Sequence, residues 1–122
     1  MILDEVQTGI GRTGKWFAYQ HFDIEPDIIT MAKTLGGGVA IGAMMAKSEI
    51  AACLVPGKHA STFGGNSLSC AAGIAVIEAI EENNLLENAN QLGEYTKRKL
   101  EQLKQKYSDI IDHIRGVGLM IL

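Results

Sequence analysis

Apolar positions follow two patterns along the chain. The first third carries short, near-continuous runs: Met1-Ile2-Leu3, Ile28-Ile29-Thr30-Met31 and Ile41 to Ala46. Runs of this kind predict strands buried on both faces. Between the first two, Trp16, Tyr19 and Phe22 have the spacing of a short helix, and Glu25-Pro26-Asp27 reads as a turn. Ser48 is placed to cap a short helix through Leu54, with loop from Pro56 to Gly65. From Asn66 or Ser67 the period changes to 3.6. Leu68, Ala71, Ala72, Ala75, Val76, Ala79 and Ile80 share one face of a helix predicted to end at Glu82, and that Ala-rich face permits close approach of a neighbour. Asn83-Asn84 breaks it. Leu85, Ala89, Leu92, Thr96, Leu100, Leu103 and Tyr107 mark a second, longer amphipathic helix whose Lys- and Glu-rich face is solvated. Arg115-Gly116-Val117-Gly118 then leads into a predicted strand over Leu119 to Leu122. Strands alternating with helices predict an α/β fold with a parallel sheet.

The two terminal runs change this picture. Each reads as a strand with nothing beyond it to pair against. The expectation is a piece of a longer protein; the alternative is a small complete domain with strands at its ends.

Composition narrows the function classes. Hydrophobic residues make up 47% and charged residues 20% of the 122, which fits a globular chain rather than a disordered one. The formal net charge of -3 offers no basic field for nucleic acid. No apolar run approaches the roughly 20 residues that span a bilayer, and the start shows no charged stretch leading into an apolar one. Cys53 and Cys70 form neither a CxxC pair nor a zinc pattern, so reduced thiols and a cytoplasmic setting are expected, with no metal. The unusual count is 14 Gly, against a usual share of about 7%.

Three segments carry candidate chemistry. Lys33 follows a predicted buried strand and precedes Gly36-Gly37-Gly38. Partial burial there would favour the neutral amine that Schiff-base chemistry needs, while glycines let a cofactor approach the backbone. An ordinary lysine at a strand end is the plain alternative. Asp4 lies at the carboxyl end of the opening strand, the edge where ligands bind in open α/β sheets. A carboxylate there suits a cationic ring nitrogen; a surface acid or helix cap is the alternative. Ser61-Thr62-Phe63-Gly64-Gly65-Asn66 places hydroxyls and glycines before a helix start, as an anion cradle or a common turn.

In order, these segments resemble the class III pyridoxal-phosphate aminotransferases. The resemblance rests on Asp4-Glu5-Val6-Gln7-Thr8-Gly9 with Gly11-Arg12-Thr13-Gly14, then Pro26-Asp27-Ile28, Ala32-Lys33 with Leu35-Gly36-Gly37-Gly38, Ile41-Gly42-Ala43, and His59 to Asn66. It covers essentially the whole chain and is strongest to the acetylornithine and succinylornithine branch. It implies the fold type I α/β architecture: residues 1–84 as the later part of the large, mostly parallel-sheet domain, and 85–122 as a linking helix and the start of the small C-terminal domain.

By the same resemblance, Lys33 is the lysine that holds pyridoxal 5'-phosphate, and Asp4 is the partner of its ring nitrogen. Gln7 lies near the ring's phenolic oxygen, with Glu5 and Val6 in the same cofactor-contacting segment. Thr62 is a phosphate ligand reaching into a neighbouring subunit's site, and Ser61 contacts substrate. The implied partners are an amino donor, N-acetylornithine or another ω-amine such as ornithine, succinylornithine or 4-aminobutyrate, together with 2-oxoglutarate and a second copy in a homodimer with shared sites. Nucleic acid and membrane are not expected partners; the piece is expected to be inactive by itself, and the alternative reading is a non-catalytic, truncated dimerisation module. The family usually has Pro at the positions of Ala40 and Ser67, and often Ala at Ser69. Its main phosphate loop, ring-stacking aromatic and substrate-carboxylate arginine have no counterpart here, and neither Arg12 nor Arg115 is assigned to replace them.

Overall fold

A computed structural model describes all 122 residues. Strands β1 (Ile2–Asp4), β2 (Ile28–Met31) and β3 (Ala43–Ala46) form one sheet in the order β1-β2-β3. β1 and β2 run parallel, with Ile2 opposite Ile28 and Asp4 opposite Thr30. The long connection between them supplies the crossover that parallel strands require. β3 is antiparallel to β2, pairing Met31 with Ala43 and Ile28 with Ala46, so the sheet is mixed rather than wholly parallel.

Directly paired residues share a face. Leu3, Ile29 and Met31 therefore face one side, where Ile29 and Met31 join Ile10, Leu35 and Ile80 in the buried core and Trp16, Phe17, Tyr19, Ile41, Val76 and Leu86 pack around it. On the opposite face, Ile2 is 68% and Met44 48% exposed. This face, which also carries Asp4 and Thr30, is only partly covered in this chain.

Helix α2 spans Ser67–Glu82, as its periodicity predicts. Asn66 caps it: Ser69 N–H donates to Asn66 Oδ1 at 3.0 Å. Asn66→Ala should cost about 1 kcal/mol, read as a lower thermal midpoint; an unchanged midpoint would show the cap to be idle. Asn84, at φ +50°, turns the chain into helix α3 (Leu85–Lys106).

Two expected elements differ. The helix α1 covers only Ser48–Ala51, and Ser48 does not cap it. Lys47 ends β3 instead: its N–H donates to Asp27 O at 3.0 Å, and its ammonium lies 3.1 Å from both Glu25 and Asp27. Residues beyond Ala51 are exposed up to Leu68, so nothing packs there to extend the helix. The expected final strand is instead a hairpin of β4 (Gly116–Val117) and β5 (Met120–Ile121). Gly118, at φ +56°, makes its reversal possible where a side chain would be strained.

Exposed charges gather at the amino edge of the sheet. The hydrogen bond to Asp27, then the one to Glu25, raises Lys47 above its ordinary range. The candidate chemistry lies at the other edge.

Candidate active site

The parallel pairing of β1 and β2 sends both chains out of the sheet at the same carboxyl edge. Asp4 is the last residue of β1. The following N–H, of Glu5, donates to Thr30 O at 2.9 Å, and Lys33 comes three residues after Thr30. Asp4 and Lys33 therefore leave neighbouring strands on one edge. Both are exposed, and neither takes part in an ion pair. Asp4 Oδ1 accepts the Val6 N–H at 2.9 Å, which orients the carboxylate.

Lys33 has a backbone that a lysine rarely adopts, with φ +39°. Left-handed torsions cost a bulky residue on the order of 1–3 kcal/mol and persist only where the surroundings enforce them. Here they do. Lys33 opens a 3-10 turn through Gly36, closed when Leu35 N–H donates to Ala32 O at 2.9 Å and Gly37 N–H to Thr34 O at 3.0 Å. Leu35 anchors the turn in the core, and α2 packs over it: a Cβ at Gly73 would lie 3.5 Å from Leu35 O. The partial burial expected of Lys33 is not supplied by these residues; its side chain stands in solvent.

The other predicted residues divide. Val6 and Gln7 lie in a turn after Asp4, closed by Gly9 N–H donating to Glu5 O at 2.9 Å. Gln7 is exposed, its amide 3.9 Å from Met120 Sδ. Glu5 lies elsewhere: it is buried, and its carboxylate accepts from Thr8 Oγ1, Ala18 N–H and Tyr19 N–H. Ser61 and Thr62 are exposed in the loop before α2. Ser61 Oγ accepts Gly64 N–H at 3.1 Å, and Thr62 makes no hydrogen bond within the chain. A cavity of about 360 Å³ separates this loop from Ala40–Gly42. Ser69 Oγ spans its base, donating to Ala40 O at 3.0 Å. Ser61 is thus brought beside the segment after the triple glycine, while no hydrogen bond links Thr62 to Lys33. A larger apolar cavity of about 470 Å³, lined by Ile10, Val76, Ile80 and Leu86, includes neither Asp4 nor Lys33.

Sequence reasoning missed three features. Thr8 and Gly9, three and four residues after Glu5, were the available signal for its inward turn. Nothing in the sequence marked the left-handed torsion of Lys33 or the Ser69 tie.

The family model described as aminotransferase class-III matches residues 1–122. The chain is 54% identical over 120 residues to an acetylornithine aminotransferase of Caldanaerobacter subterraneus subsp. tengcongensis, covering 98% of this chain and 30% of that protein. Among solved structures it resembles an acetylornithine aminotransferase from Elizabethkingia anophelis, at 43% identity and a TM-score of 0.92, over 98% of this chain and 30% of that one. It also resembles a taurine:2-oxoglutarate aminotransferase from Bifidobacterium kashiwanohense solved with PLP and glutamate, at 33% identity and a TM-score of 0.90, over 99% and 28%. The chain thus spans about 30% of the length of the curated relatives it matches. With motif order, strand pairing and a family match over residues 1–122 in agreement, this chain belongs to the class III aminotransferases.

Proposed function

We propose that this chain is the cofactor-anchoring segment of a longer pyridoxal-phosphate-dependent aminotransferase, one that moves the δ-amino group of N-acetylornithine to 2-oxoglutarate in arginine biosynthesis. The observation that carries this reading is the shared carboxyl edge of β1 and β2, from which Asp4 and Lys33 both emerge without an ion-pair partner. The donor set suits the cofactor: a primary amine for an aldehyde carbon, a carboxylate for a pyridinium nitrogen, and hydroxyls at Ser61 and Thr62 for a phosphate or a substrate.

When bound, pyridoxal phosphate supplies an aldehyde carbon that exchanges amines and a ring that takes up the electrons of a broken C–H bond. Lys33 Nζ provides the attachment and, as the free base, accepts and returns the proton of the carbon bearing the donor's amine. Asp4, oriented by the Val6 N–H, keeps the ring nitrogen protonated. Gln7 lies near the phenolic oxygen. Thr62 holds phosphate in a neighbouring subunit and Ser61 meets substrate, so each site needs two chains of a homodimer. Their exposure and Thr62's lack of an internal partner support that assignment.

The choice of acetylornithine is supported by the names of the relatives near 50% identity. The taurine enzyme shares the same segment, so donor specificity resides chiefly outside it, and ornithine, succinylornithine or 4-aminobutyrate are the alternative donors. A cytoplasmic setting belongs to the same reading. So does inactivity of the 122 residues alone, since one edge of the site is not built from them; turnover by the isolated chain would refute that part.

The test is borohydride reduction of the cofactor-loaded complete polypeptide, followed by peptide mapping. The label should fall on Lys33, with loss of the visible absorption band. A label on another lysine, or none, sinks the proposal.

A further inference from the structure

We propose that Glu5 is a positioning residue that sets the angle of Asp4 toward the cofactor's ring nitrogen. This deepens the aminotransferase reading and rests on it. Glu5 is 3% exposed and has no cationic partner. A buried carboxylate without a counter-ion persists only when its oxygens are well supplied with donors. Here Oε1 accepts Tyr19 N–H at 2.8 Å, and Oε2 accepts Ala18 N–H at 3.0 Å together with the Thr8 hydroxyl. Two of these donors lie 13 and 14 residues further along the chain. The side chain therefore bolts the turn after β1 to the 3-10 turn at Ala18–His21.

The turn itself has little slack. Gly9 N–H closes it on Glu5 O at 2.9 Å, and a Cβ at Gly9 would come within 2.8 Å of that oxygen. The peptide N–H of Val6, next after Glu5, is the group that Asp4 Oδ1 accepts. Any rotation of that peptide would swing the Asp4 carboxylate. Asp4 and Glu5 are thus an exposed and a buried acid side by side: the buried one holds the backbone, and the backbone holds the exposed one. Glu5 acts without touching the cofactor, which separates this role from direct contact.

The test uses Glu5→Gln and Thr8→Val in the complete polypeptide. Glutamine keeps the size but turns one acceptor into a donor facing donors; Thr8→Val removes only one of the three bonds. In Glu5→Gln, borohydride should still label Lys33. The dissociation constant for pyridoxal phosphate should rise roughly tenfold or more, the size typical when a partner that orients a ligand is lost. The pH midpoint of the bound cofactor's absorption should also move. Thr8→Val should move both in the same direction by a smaller amount, about threefold in affinity. Ile80→Val, which weakens the core away from the site, should lower the thermal midpoint without moving the absorbance midpoint. Unmoved affinity and absorbance midpoint in Thr8→Val, and in Glu5→Gln if it folds, overturn the proposal whatever happens to stability. Absence of label at Lys33 in the unaltered protein overturns the aminotransferase reading instead, so the two failures are distinguishable.

Discussion

Lys33→Ala in the complete polypeptide should lower transamination by on the order of 10⁴-fold, the scale of a lost proton-transfer group, and remove the visible band of the bound cofactor. Lys33→Arg separates the chemistry from the charge. Arginine keeps a cation at the strand end but has no nucleophilic amine and does not release its proton. It should be as inactive as alanine. The strained backbone adds a second readout. With φ +39°, Lys33 is in a conformation that glycine adopts without strain. Lys33→Gly should therefore be equally inactive yet more stable than Lys33→Ala, by about 1 kcal/mol in urea denaturation. A non-catalytic lysine at this position would show the stability difference but neither the loss of transamination nor the loss of the band; activity retained in Lys33→Ala would defeat the assignment directly.

Gly93→Ala should be among the most destabilising small changes in the chain. Gly93 lies in α3 against the terminal hairpin. A Cβ there would sit 2.7 Å from Gly118 C and 2.8 Å from Gly118 Cα, with the carbonyl oxygen nearer still. All three are backbone atoms, so no rotamer change relieves the clash. Gly118 cannot retreat either, because its own Cα packs on Thr13: a Cβ at Gly118 would meet Thr13 C at 2.5 Å. Leu119 N–H donates to Arg12 O at 3.0 Å and Asn90 Nδ2 donates to Gly14 O at 3.1 Å, fastening the hairpin and α3 to the same loop. The methyl group has to push α3 off this stack, at a cost of about 3 kcal/mol. Urea denaturation measures it, and a loss below about 1 kcal/mol would mean that the contact is soft. This loop leads from Gln7, so loosening α3 should also weaken cofactor binding.

Much of the architecture was legible because local signals agreed. β2 and α2 fall where the apolar runs and the 3.6 period end, and α3 begins directly after the Asn pair. Errors occurred where local signals were silent. Ser48 has the chemistry of a cap, but Lys47 is held by Glu25 and Asp27 from a distant turn, and that contact sets where β3 ends. The last apolar run could not announce a hairpin, because Gly118 reverses the chain by packing on a loop more than a hundred residues earlier.

For the candidate site the division is similar. Sequence alone determined which groups are available: an amine at 33, a carboxylate at 4, and hydroxyls at 61 and 62, in the order of one family. Their residue types and spacing are properties of the chain itself. Tertiary structure alone decided that Asp4 and Lys33 share an edge, because only parallel pairing of β1 with β2 brings their carboxyl ends together. It alone decided that Glu5 turns inward and Asp4 outward, because donors from Ala18 and Tyr19 reach one acid and not the other. Hydrogen bonds between residues 13 and 14 positions apart leave no trace in local composition.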